Sequence, residues 1–168
     1  MTVVGILGIQ SRETINCLSG ILENDGIMGK FCVIDLERES NGEPLDILVA
    51  AGGGKRAHSL IKSQAYRFFI MNPDHKDILA YAANSHGILI TYGFNNKVCV
   101  TASSVMENEV QICIQRDLPT ISGRNIEQQE FGVSVDTEHS APENLLAAIT
   151  AALVADVEVM VLNCLKTE

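Results

Sequence analysis

The chain has 168 residues, 46% of them apolar and 20% charged, and carries a net charge of −9. This length and composition predict one domain, residues 1–168, with a core of Val, Ile, Leu and Ala, since there is no Trp. So acidic a chain excludes a broad nucleic-acid surface and an anionic membrane surface, both of which need clustered Lys and Arg.

Thr2–Leu7 is an apolar run ending in Gly8. Ile15, Leu18, Ile21 and Leu22 follow at helical spacing, and Gly26 stops that helix. Residues 30–36 read as a second strand, 37–44 as a polar loop, and 46–51 as a third strand closed by Gly52, Gly53 and Gly54. A short helix is expected over residues 55–64. Residues 67–71 are a fourth strand, and Pro73 suits the first position of a helix reaching Ala83. Ile88–Thr91 is a fifth strand, ended by Gly93. Short apolar runs alternating with helical patterns predict βαβ units and a parallel sheet.

From Lys97 the pattern changes. Residues 97–103 and 109–116 alternate apolar and polar side chains, as half-buried strands do. Residues 121–126 read as a hairpin turn, and Phe131, Val133 and Val135 form another alternating run. Together they predict a small antiparallel sheet. Pro142 opens a helix through Ala155, and residues 157–165 are a last helix or strand. The expected fold is a three-layer α/β sandwich with a mostly parallel sheet and a small antiparallel extension.

The segment from Gly5 through Gly8 and Ser11 to Thr14 is a strand–turn–helix. A phosphate loop needs small residues, so that backbone N–H groups approach the phosphate oxygens. It also needs a Lys for the β/γ charge and a Ser or Thr for magnesium. Gly5, Gly8 and Ser11 keep this turn small, but Arg12 stands where the Lys would be, followed by Glu13 and Thr14. Arg is a planar fork and not a compact ammonium, so it need not reach the same phosphates. Glu13 suits the helix dipole yet repels a triphosphate. Three readings stand: a plain strand-to-helix turn capped by Ser11, a weak anion site, and a productive ATP site.

This loop resembles that of the central, ATP-binding domain of the Mur ligases, where a strand runs into G-x-x-G-T-N-G-K-T-T. Gly5, Gly8 and Thr14 match; Ile9, Gln10, Ser11, Arg12 and Glu13 replace the residues between. Residues 69–74, ending Asn72-Pro-Asp74, are similar to the family's strand ending in N-x-D-D, with His75 in place of the second Asp. Residues 88–95 are similar to its "ITYG" stretch. Residues 141–154 are similar to its Asn-containing helix, where Asn144 matches the second Asn. The likeness covers most of the chain and is best from Ile70 to Val157.

The resemblance implies an ATP-dependent, amide-bond-forming ligase of peptidoglycan biosynthesis, with ATP or another phosphate ligand and magnesium as cofactors. It makes Gly5, Gly8, Ser11, Arg12, Thr14, Asn72, Asp74 and Asn144 candidate nucleotide- or anion-binding residues. The lysine and the Thr at the magnesium position are both altered. No counterpart stands out for the family's magnesium-binding Glu or its carbamylated Lys, and the flanking substrate domains lie outside this sequence.

Other candidates come from the residues themselves. Gly53 and Lys55, within a Gly-Gly-Gly-Lys-Arg run after a strand, could hold an anion at the sheet's carboxyl edge; the plain alternative is a flexible turn. If this loop meets the first, Arg12, Lys55 and Arg56 would form a local positive pocket. Asn72, Asp74, His75 and Asp77 form a polar cluster, read either as a metal or acid–base site or as a helix capped by Asn72. His58, His86 and His139 have no ligand-like spacing, and Ser103 and Ser104 have no Gly-x-Ser-x-Gly context. None of Cys17, Cys32, Cys99, Cys113 and Cys164 has a signature of activation. No catalytic residue and no metal ligand is assigned.

An odd cysteine count, with no basic n-region at the N-terminus, sets the expectation of a cytoplasmic protein. The leading functional expectation is a stand-alone Mur-ligase-like domain without ATP turnover, a binding or regulatory module for a nucleotide, a cell-wall precursor or a protein partner. Homo-oligomerisation fits the same reading. The alternatives are an ATP-dependent acid–amino-acid ligase working with other chains, and a structural assembly subunit.

Overall fold

The computed structural model describes residues 1–158 except Asp25 and Asp136. Strands β1 (Thr2–Leu7), β2 (Phe31–Asp35), β3 (Leu45–Ala50), β4 (Tyr66–Met71) and β5 (Ile88–Thr91) form one parallel sheet in the order β2-β1-β3-β4-β5. Leu7 pairs with Ala50, Ala50 with Met71, and Met71 with Thr91, so four strands end level at the carboxyl edge. β2 and β3 lie on opposite sides of β1, which puts the topological switch point beside β1.

Helices α1 (Ser11–Asn24) and α4 (Pro142–Val154) cover one face of this sheet. α1 buries Thr14, Leu18, Ile21 and Leu22, a stripe at helical spacing. α4 is buried continuously from Asn144 to Val154, because α1, the parallel sheet and a second sheet all pack on it. Each Leu, Ile or Val side chain so enclosed contributes about 1.5–3 kcal/mol. Helices α2 (Ala57–Ser63) and α3 (Lys76–Ala82) cover the other face, over Leu48, Phe69 and Met71.

The second sheet is antiparallel and built from β6 (Val100–Met106), β7 (Glu109–Ile114) and β10 (Gln129–Ser134), in the order β10-β7-β6. Val110, Ile112 and Ile114 point into the core, as the alternation predicts. The expected hairpin turn joins two short strands, β8 (Leu118–Pro119) and β9 (Asn125–Ile126), the second of which takes up the last two residues assigned to the turn. The α/β sandwich with a mostly parallel sheet and an antiparallel extension is therefore the fold observed.

Pro73 does not open α3; it lies in the turn before a helix that starts at Lys76. Ser11 is not an N-cap but the first helical residue, its hydroxyl donating to Asp35 instead of capping. The strand expected from Lys97 begins at Val100 and runs on to Met106. Val157 and Glu158 belong to no regular element, and residues 159–165 of the expected last element lie outside the described residues. Among the described residues no helix is long and apolar enough to cross a membrane.

Candidate functional site

The loops after β1, β2, β3 and β4 gather at the carboxyl edge, and the first three interlock. Gly8 has a φ of +107°, and a Cβ there would lie 2.3 Å from the Ala51 carbonyl oxygen. Only glycine lets the two backbones approach this closely. Across that contact the Ile9 N–H donates to the Gly53 carbonyl and the Gln10 N–H to the Ala51 carbonyl, both at 3.0 Å. The Gly8 N–H donates to the Glu37 carboxylate at 2.9 Å. Three successive N–H groups of the turn thus have acceptors within the protein.

Glu37 is itself held in place. Its N–H donates to Asp35 Oδ1, which also accepts the Ser11 hydroxyl at 3.0 Å. Its carbonyl accepts a hydrogen bond from the Arg56 guanidinium at 3.0 Å. Asp77, from the first turn of α3, presses its carboxylate against Gly53, where a Cβ would overlap it. The two glycine loops meet, as expected for neighbouring parallel strands. The contact holds the carboxylates of Glu37 and Asp77, with the Arg56 guanidinium on the Glu37 backbone.

A second cluster adjoins this one. Asn72, at the end of β4, donates from Nδ2 to Glu143 Oε1 at 3.0 Å, and its Oδ1 accepts the Asp74 N–H. Asn72 therefore braces the turn and α4 instead of capping a helix. His75 Nε2 lies 2.5 Å from the same Glu143 oxygen. Tyr92 donates its hydroxyl to the Ala50 carbonyl at 3.1 Å and so links to the carboxyl end of β3. Burial, and secondarily the negative charge of Glu143, push the Tyr92 phenol well above its ordinary range. It is a neutral donor at physiological pH.

The sequence-predicted residues are only partly brought together. Gly8, Ser11 and Gly53 belong to the interlocked loops, while Asn72 and the exposed Asp74 belong to the second cluster. Asn144 is buried in the first turn of α4, next to Glu143. Arg12 and Lys55 are exposed. Gly5 lies within β1, where a Cβ would meet Leu45 and Leu36, so its small size serves packing. Thr14 is fully buried, with no hydrogen-bond partner for its hydroxyl among the described residues.

Sequence reasoning missed Asp35, Glu37, Glu143 and Tyr92. The available signal was position: Asp35 and Glu37 end or follow a strand parallel to β1, and so share its carboxyl edge. The Cys17 thiol is raised by burial, the opposite of activation. No group of three or more potential metal ligands occurs among the described residues.

No protein-family model and no curated protein matches the sequence. Among solved structures, the chain is similar to a murein peptide ligase from Psychrobacter arcticus, with a TM-score of 0.61 and 12% identity over 98% of this chain. It spans 45% of that ligase's length. At this identity the likeness establishes a Mur-ligase-like fold.

Proposed function

We propose that this domain is a Mur-ligase-like binding module that does not turn over ATP, its own Glu37 side chain standing where a phosphate would sit. The observation that carries this reading is the 2.9 Å bond from the Gly8 N–H to Glu37. An anion-binding loop works by aiming unspent N–H groups at its ligand. Here the N–H groups of Gly8, Ile9 and Gln10 are spent on Glu37, Gly53 and Ala51. A triphosphate entering the loop would meet Glu37, Asp77 and Glu13 instead of a lysine. Like charges about 4 Å apart near a protein surface repel by about 4 kcal/mol. The residues present do not fit ATP with magnesium.

What remains is a rigid scaffold with a polar carboxyl edge, suited to binding. Its ligand is a nucleotide, a cell-wall precursor or a protein partner, and the fold's likeness to a murein peptide ligase favours the second. We place it in the cytoplasm, on its scattered cysteines. Phosphate release from ATP with magnesium tests the catalytic half of this reading. The purified protein is expected to release no more phosphate than buffer. Magnesium-dependent release that disappears in Arg12→Ala would support the ATP-dependent ligase instead.

A further inference from the structure

On the face of the parallel sheet away from α4, helices α2 and α3 lie side by side with a cavity of 590 Å³ between them. None of the interlocked-loop residues lines it. α2 contributes His58, Ile61 and Lys62, which share a helical face. The opposite wall is Tyr81 and the turn from Ala83 to His86.

Three observations single this groove out. The first is charge. The chain has 21 acidic and 12 basic residues, yet among the described residues no carboxylate lines the groove, whereas Lys62, His58 and His86 do, with Asn84 and Ser85 beside them. The second is order. The His58 ring packs edge-on against Tyr81, with centroids 4.4 Å apart at 89°, which fixes its direction. The third adjoins the turn that forms one wall. Tyr66 shares the apolar cluster of Ile61, its ring meets Gly87 just beyond His86, and its buried hydroxyl has no hydrogen-bond partner among the described residues.

We propose that this groove binds a small organic phosphate. Its volume lies within the range of small-molecule sites, about 300–1,000 Å³. The polar side chains come from both walls, an arrangement suited to a tetrahedral group with three terminal oxygens and less so to a planar carboxylate. Ile61, Ala83 and the Tyr81 ring offer an apolar surface for the organic body. The inference does not depend on the fate of ATP at the carboxyl edge.

Phenyl phosphate is the probe, with benzoate as its planar counterpart, both followed by NMR of the His58 and His86 rings. Phenyl phosphate is expected to shift both rings saturably in the millimolar range, and benzoate to bind more weakly. Lys62→Glu, on an exposed position, should weaken phenyl phosphate by about tenfold or more. Lys97→Glu, the same charge reversal at an exposed position that does not line the groove, should leave its affinity unchanged. The proposal is overturned by an absence of saturable shifts, by equal binding of benzoate, by insensitivity to Lys62→Glu in a folded variant, or by an equal loss of binding in Lys97→Glu.

Discussion

His75 Nε2 lies 2.5 Å from Glu143 Oε1, joining the loop after β4 to the first turn of α4 across 68 residues of sequence. The same carboxylate oxygen accepts the Asn72 amide. The His75 and Glu143 side chains are each about 30% exposed, so the pair is screened only in part. This contact ties the first turn of α4 to the carboxyl edge.

A double-mutant cycle with His75→Ala and Glu143→Ala, read by urea denaturation, should give a coupling of about 1 kcal/mol. The Asn72 bond makes Glu143→Ala the costlier single change. Strictly additive effects would mean the two side chains do not interact in solution.

Tyr92 offers a test by pH. Its phenol is raised above the ordinary value of 10.0, first by burial and then by Glu143. In the unfolded chain the phenol ionises near that ordinary value. Above it the unfolded state holds fewer protons than the folded state, and stability falls as pH rises. The contribution of Tyr92 is thus complete below pH 10 and is lost as pH climbs beyond it. Tyr92→Phe removes the bond to the Ala50 carbonyl and should cost about 1 kcal/mol at neutral pH. The gap between wild type and variant should narrow above about pH 10; a gap constant across that range would contradict the buried neutral phenol.

The antiparallel sheet is tested at Ile112, which is fully buried and pairs with Phe131 and Ala102. Ile112→Asp places an unpaired charge in the core and should cost about 3–5 kcal/mol. The melting temperature should fall by about 10 °C or more. An unchanged melting temperature would mean that β7 does not pack on α4 and the parallel sheet.

Much of the fold is legible in the sequence because its signals are local. β1 and β5 fall where their apolar runs place them, and Val110, Ile112 and Ile114 alternate inward as their period requires. The candidate site is legible only in part. Gly8 marks a backbone turn, and turn chemistry is local. Glu37 lies 29 residues away in a polar loop, and only the placement of β2 beside β1 brings it to the Gly8 N–H. The His75–Glu143 contact depends likewise on where α4 docks. Pro73 misleads because a proline suits a tight turn as well as a first helical turn, and here the Asn72 side chain closes the turn.

The central claim is that Glu37 occupies the phosphate position of the Gly8 turn. Calorimetric titration of ATP with magnesium into wild type and Glu37→Ala tests it most directly. The account expects no saturable binding to wild type at millimolar ATP and weak, saturable binding to Glu37→Ala, because the Gly8 N–H is released in the variant. Micromolar binding to wild type, unaltered or weakened by Glu37→Ala, would contradict it.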